Sequence, residues 1–322
     1  MTPEQRIDYY LGDLACHETV DQVYLPYLND PYIDDRNKYF VNNHGELNWN
    51  ESAINKNYIQ PLKTIIDTLN IHDKNVIMCV GDVFQPSSAH GNCFAFSKTR
   101  RVDTDDRRFA LVKCFNIYRH WQEIRHIDLQ PFKNKKPNAM WRGTTTGKAD
   151  IDENGNATNT RPGNRFDLID SNFNKRNDID IGFSFIHRER FNKKYIKMVK
   201  GKTSPANIAD NKYIISVEGN DKDSGINWKL RMNSVVMMPK PTIASWLMED
   251  KLIPDVHYVQ LKSDFTDLTD KIDWCNDNQD KCEEIIHNAH IYMSQFNDHK
   301  LEKNIEQNVV KHLLNRVLYT YE

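Results

Sequence analysis

Asp82 stands behind Gly81 at the end of a short apolar run, Val76 to Val80, where a buried strand would stop. In open α/β sheets ligands collect beyond the carboxyl ends of the strands, so a carboxylate there can take the proton of an acceptor hydroxyl that reaches it. A helix or turn cap uses the same residue type equally well. The segment Trp141 to Ala149, WRGTTTGKA, first suggests a phosphate loop. A Walker A motif has four residues between its glycines and a hydroxyl after its lysine; here Gly143 and Gly147 enclose three residues, and Lys148 is followed by Ala149. It is therefore not a P-loop. Arg142, Gly143, Thr144, Thr145 and Thr146 still offer a guanidinium, a close backbone approach and hydroxyl donors, a set that suits a diphosphate as well as an ordinary polar turn.

Asp103, Asp105 and Asp106 form a DxD-like run whose hard oxygens suit magnesium or manganese across a nucleotide-sugar diphosphate. Arg100, Arg101, Arg107 and Arg108 crowd it, so surface ion pairs explain its charges too, and the same spacing recurs at Asp178 and Asp180. The stretch Glu218 to Lys229, EGNDKDSGINWK, follows an apolar run and leads into a helix. Gly219 and Gly225 permit tight turns there, and Ser224 with its neighbouring amides is an anion-site candidate, although plain strand-to-helix connections look alike. His120 and His126 have poor metal spacing.

These residues need elements to position them. The 322 residues amount to roughly two domains at about 100–200 residues each. Composition is globular, with 39% hydrophobic residues, 14 Tyr, 14 Phe and 6 Trp. A net charge of -2 excludes a broadly basic surface for nucleic acid, and no apolar run is long enough for a membrane span or a secretory leader. Six separated cysteines without a CxxC pair read as reduced thiols, which together with the missing leader points to a cytoplasmic protein. Ile59 to Leu69 has helical spacing and Asn75 to Val80 reads as a buried strand; Phe109 to Ile127 carries another helical pattern. The basic, proline-interrupted segment Phe132 to Asn138 suggests a domain boundary, and Ala149 to Asn164 a long surface loop. Ile181 to Ile186, Tyr213 to Val217, Ser234 to Met238 and His257 to Leu261 read as strands too far apart for hairpins, which predicts a parallel sheet with crossover helices. His257, Tyr258 and Trp246 read as core or sheet-edge groups. Two amphipathic helices close the chain, one through Ile285 to Phe296 and one through Ile305 to Val317.

Four separated motifs in order, WRGTTTG, NRFDLI (Asn164 to Ile169), Lys212 to Pro241 and Leu252 to Trp274, resemble glycosyltransferase family 90, with the bacterial lipopolysaccharide-modifying type the nearest in pattern. The resemblance runs from Val76 to about Phe296. It implies a GT-B fold of two Rossmann-like domains facing across a cleft, an inverting transfer from a UDP-sugar to a hydroxyl of a glycan or glycolipid acceptor, and no metal or other cofactor. Residue by residue, it places the catalytic base on Asp82 and the donor site on Arg142, Gly143, Thr144, Thr146 and Arg165, with Ser224, Asn227 and Lys229 in the second donor segment. Animal members carry arginines at the place of Thr145 and in the turn Gly225 to Asn227; Lys229 and Arg231 are the nearby cations here. Expected domains are 1–136 for the base and acceptor, completed by a helix over 300–322, and 137–299 for the donor. Xylose or glucose is the expected sugar, with polysaccharide, lipopolysaccharide or capsule as setting. Peripheral membrane contact is compatible with this reading; nucleic acid is not an expected partner. The alternatives are a metal-dependent DxD transferase and a carbohydrate-binding protein of the same fold without catalysis.

Overall fold

The computed structural model describes residues 1–16, 20–24, 38–41, 47–49, 56–71, 75–79, 95–103, 108–114, 130–147, 150–151, 157–158, 162–187 and 192–320. The chain divides into two compact units, one of Met1–Arg119, Thr242–Met248 and Phe296–Glu322, the other of His120–Pro241 and Glu249–Gln295. Among the described residues no helix is long and apolar enough to cross a membrane.

In the first unit the helix Pro3–Leu11 starts from a capping box, in which Thr2 accepts from the Gln5 amide and the Gln5 side chain accepts from the Thr2 amide. Gly12 ends it at a φ of 64°. A five-stranded sheet runs in the order Leu47–Trp49, Lys38–Val41, Asn75–Cys79, Ala95–Ser97 and Phe109–Leu111. It is mixed: Lys38–Val41 is antiparallel to both neighbours, whereas Asn75–Cys79, Ala95–Ser97 and Phe109–Leu111 are parallel. Phe109–Leu111 is thus a strand where the aromatic spacing predicts a helix. Three residues of a strand and one turn of a helix bury the same number of apolar groups, so periodicity over so short a stretch does not separate them. The helix predicted over Ile59 to Leu69 is present as Lys56–Leu69, with Leu62, Ile65 and Ile66 buried.

The second unit is built on a fully parallel five-stranded sheet in the order Ile179–Phe185, Lys136–Thr144, Asn211–Ile215, Val235–Met238, Val259–Gln260. All four strands expected after residue 180 are there, within about two residues at their ends. The interior strand Lys136–Thr144 is a correction, because Phe132 to Asn138 reads as a domain boundary and Trp141 to Ala149 as a polar turn. Pro137 has no N–H to donate, and the ladder with Asn211–Ile215 shifts between the pairs Asn211 with Lys136 and Tyr213 with Ala139, so the proline is passed over. The expected long loop also contains a small antiparallel pair, Asp150–Ile151 with Ala157–Thr158.

Alternating side chains cover both faces of this sheet. Ala139, Trp141, Tyr213, Ile215, Val235 and Met237 join one core with the helix Arg165–Asn172 and the helices Leu268–Asp277 and Gln279–Ser294. Met140 and Ile214 point the other way, onto Ile208 and Ala209 of the helix Pro205–Ala209 and onto Met232. The first crossover helix therefore lies on one face and the second on the other. That change of side follows from the strand order: the chain goes from Lys136–Thr144 to the neighbour at one edge, then returns to the neighbour on the opposite side. Such a point of reversal separates the connecting loops and leaves the carboxyl ends of Lys136–Thr144 and Asn211–Ile215 as the place where a ligand can enter.

Candidate active site at the reversal of the sheet

The strand Lys136–Thr144 delivers the predicted motif to that reversal. Gly143 lies under the indole of Trp141, and a Cβ added there would sit 2.4 Å from the ring. A side chain at Gly143 is therefore excluded by packing. Arg142 donates to the carbonyls of Trp141 and Asp180, both at 2.8 Å, and to the two carboxylate oxygens of Asp180 at 2.8 and 2.9 Å. Lys200 reaches the same carboxylate at 2.9 Å. Burial pushes the Asp180 carboxyl up, but the bonds from Lys200 and Arg142 hold it below the ordinary range. Arg142 thus clamps the first two strands of the sheet together.

Just beyond, the structure gathers Thr144, Thr146 and Arg165. Asn164 caps the helix Arg165–Asn172 by accepting from the amides of Phe166 and Asp167, which puts Arg165 on the first helical turn at the strand ends. From there its Nη1 donates to the Thr144 carbonyl and hydroxyl at 3.1 Å and to the Thr146 hydroxyl at 2.5 Å. The two hydroxyls are 3.0 Å apart. On the other side of the guanidinium lies Gly219, where a Cβ would stand 2.7 Å from Nη2 and 3.3 Å from the Thr146 hydroxyl. Here a side chain is excluded because Arg165 occupies its space.

Backbone and side-chain ties hold the surrounding loops. Buried Thr145 accepts from the His187 amide at 2.8 Å, and Asn220 accepts from the Gly147 amide at 2.8 Å, so the loop after Lys136–Thr144 is fastened to those after both neighbouring strands. Gly147 adopts a φ of 124°, a conformation that favours glycine. In the second donor segment Asp223 accepts from Lys229 at 2.5 Å and from the Ser216 hydroxyl at 2.6 Å, and Gly225 donates its amide to the other oxygen at 2.9 Å. Lys229 also donates to the Ile215 carbonyl at 3.1 Å. Burial raises the Asp223 carboxyl, yet the Lys229 charge and these donors hold it below the usual range. Lys229 consequently pins the loop to its strand. Asn227 is buried on the same short helix Ile226–Lys229, while Ser224 is exposed at the turn before it.

Among the residues read as candidates, Thr144, Thr146 and Arg165 come together; Arg142 and Lys229 hold Asp180 and Asp223 instead. Asp82 lies outside the described residues, as do Asp105, Asp106, Lys148, His120 and His126. The Asp103 carboxylate is engaged by Arg101, at 2.7 Å from Nε. Of the second DxD pair, Asp178 is bonded to Arg176 and Asp180 to Arg142. Tyr258 and Trp246 are buried, as their composition suggests. The sequence marks Asp180 only through its DxD spacing and singles out neither Asn220 nor Asp223. Asn220 and Asp223 sit inside the glycine-bearing segment already marked, but only folding shows which donor each one meets.

The arrangement supplies a guanidinium and two hydroxyls at the carboxyl ends of adjacent parallel strands, a donor set matched to phosphate oxygens. Over 201 residues the chain is 30% identical to O-glucosyltransferase LpsA of Dichelobacter nodosus, covering 62% of this chain and 56% of that protein. It is also 29% identical over 183 residues to uncharacterized protein 179R of Invertebrate iridescent virus 6, covering 49% of this chain and 15% of the viral protein. A match to uncharacterized protein 027R of Frog virus 3 (isolate Goorha) is 28% identical over 176 residues, 49% of this chain and 18% of that protein. The chain thus spans about half the length of the bacterial relative and a smaller part of the viral ones. The model of glycosyl transferase family 90 matches residues 112–316, well over half of the chain, and the chain belongs to that family.

Proposed function

We propose that this protein is an inverting glycosyltransferase that moves a sugar from a UDP-sugar to a hydroxyl of a glycan or glycolipid, in lipopolysaccharide, capsule or related polysaccharide synthesis. The observation that carries the reading is the cluster of Arg165, Thr144 and Thr146 at the reversal point of the parallel sheet. These donors suit the diphosphate of a nucleotide-sugar, and their positive charge and hydroxyls would offset the charge that develops on the leaving group. The two units correspond, in this reading, to the two domains of the GT-B architecture, the donor bound on the one that contains the parallel sheet. Glucose is the first sugar to test, because the bacterial relative is named an O-glucosyltransferase; xylose is the second.

Asp82 is the base in this proposal. As it takes the acceptor proton, the acceptor oxygen forms its bond to the anomeric carbon, while the bond from that carbon to the β-phosphate oxygen breaks on the opposite face and UDP departs with the electron pair. Arg165, Thr144 and Thr146 act on the departing diphosphate. Asn220, Thr145 and Asp223 keep their loops in place, and Arg142 secures the strand from which the threonines project.

Calorimetry with UDP tests the donor site. Wild-type protein should bind UDP, and Arg165→Ala should weaken that binding at least tenfold; equal dissociation constants would remove Arg165 from the role. Asp82→Asn should abolish transfer and leave UDP binding near wild type. Turnover that persists in EDTA supports the metal-independent reaction, whereas loss restored by manganese would direct attention to Asp103, Asp105 and Asp106.

A further inference from the structure

Phe185 is an aromatic ring left in solvent next to this cluster. It ends the edge strand Ile179–Phe185 and is the ladder partner of Thr144, whose hydroxyl Arg165 holds. Neighbouring strands lie about 4.8 Å apart, so ring and hydroxyl spring from adjacent positions at the same end of the sheet. Phe185 is 40% exposed although its chain neighbour two residues back, Phe183, is wholly buried. Its open ring is nevertheless held. The His187 ring lies 6.4 Å away at an interplanar angle of 29°, the Lys202 ammonium is 5.5 Å from the ring centre, and the His187 amide is fastened to Thr145 at 2.8 Å.

A ring still 40% exposed beside these two groups gains only part of the burial open to it in the free protein. A flat heteroaromatic laid on it would gain both dispersion and desolvation. A nucleoside diphosphate joins such a ring through one ribose to an anionic tail, and the sheet presents a ring and an anion donor set at paired positions. Lys202 adds a cation 5.5 Å from the ring centre, of the sign that the carbonyl oxygens of a pyrimidine attract. Resting on the proposed use of a UDP donor, we infer that Phe185, supported by His187 and Lys202, is the stacking platform for the uracil base and sets the preference for a nucleotide over a bare diphosphate.

The test uses the full chain and calorimetry with UDP and with inorganic pyrophosphate. Phe185→Ala should raise the UDP dissociation constant at least tenfold while leaving that for pyrophosphate within about twofold, and Phe185→Tyr should restore UDP binding. Arg165→Ala, by contrast, should weaken both ligands. Wild-type binding of UDP that is unchanged in Phe185→Ala overturns this inference and leaves the donor assignment standing. Equal weakening of UDP and pyrophosphate in Phe185→Ala overturns it as well, because the ring would then support the loop and not the base. A rise in acceptor KM with an unchanged UDP constant assigns the ring to the acceptor and overturns it. Failure of the wild-type protein to bind UDP at all removes the donor reading together with this one.

Discussion

Two glycines near the candidate site exclude a side chain for different reasons, and substitution separates them. At Gly219 an added methyl would meet the far end of Arg165, with Nη2 at 2.7 Å. A flexible guanidinium can swing away, so Gly219→Ala should keep the melting temperature within about 3 °C of wild type while weakening UDP binding at least fivefold, as read by thermal denaturation and calorimetry. At Gly143 the same methyl would meet the buried indole of Trp141 at 2.4 Å, and that ring is packed against Phe183. Overpacking a core site costs about 1–3 kcal/mol, so Gly143→Ala should lower the melting temperature clearly. The ties of Arg142 to Asp180 give a third expectation at this scale. Arg142→Ala should destabilise the sheet and change the UDP constant less than Arg165→Ala does, measured on the two variants side by side.

The segment after the strand Asn211–Ile215 depends on one buried ion pair. Asp223 and Lys229 are enclosed with the Ser216 hydroxyl and the Ile215 carbonyl, and the pair holds a loop of irregular backbone against the sheet. Removing one partner leaves a buried charge without compensation, which costs about 3–5 kcal/mol. Asp223→Asn is therefore expected to lower the unfolding free energy read from denaturant titration by that amount, and more than the paired replacement Asp223→Asn with Lys229→Met. The pH dependence follows from the depressed carboxyl. Its stabilisation is fully present above the unfolded carboxylate pKa of about 3.9 and is lost as pH falls through the lower folded value. Acid unfolding followed by circular dichroism should thus lose part of its slope below about pH 4 in the doubly substituted protein.

At the scale of the whole chain, segments distant in sequence meet in a buried polar group within the first unit. Arg6 of the helix Pro3–Leu11 bonds Glu302 of the helix His299–Arg316 at 2.5 Å; Glu302 also accepts from the Trp246 indole at 2.5 Å and from Lys113 at 3.3 Å. Tyr10 stacks on Trp246 at 3.8 Å and donates to its carbonyl. One turn further on, Glu306 accepts from the Cys114 amide at 2.6 Å, and burial pushes its carboxyl above the ordinary range in spite of that bond and the nearby Lys113. A raised carboxyl pKa means that the folded protein keeps this proton to higher pH than the unfolded chain. Stability from it is present below the unfolded value of about 4.3 and falls as pH rises through the folded one. Glu306→Gln keeps an oxygen for the Cys114 amide and removes the charge, so its melting temperature should exceed that of wild type at pH 8. The difference should shrink toward pH 4 in calorimetric scans.

Much of this was readable in the residues. Apolar runs separated by crossover lengths implied a parallel sheet, and the order of four motifs implied the family, because both signals are local or a sum of local ones. Thr144, Thr146 and Arg165 were named from their types and motif positions. The tertiary structure alone decided that Arg165 would lie between the threonines and Gly219, whereas Arg142 and Lys229 would bind Asp180 and Asp223. A guanidinium or ammonium in sequence carries no record of which carboxylate will reach it, and burial turns the nearest one into a partner. The strand Lys136–Thr144 was hidden for a related reason. Proline and lysines argue locally against a central strand, but a shifted ladder accommodates Pro137, and the cores on both faces outweigh its missing hydrogen bond. Sequence determined the chemistry that could be assembled; the reversal of the sheet decided which of those groups stand together.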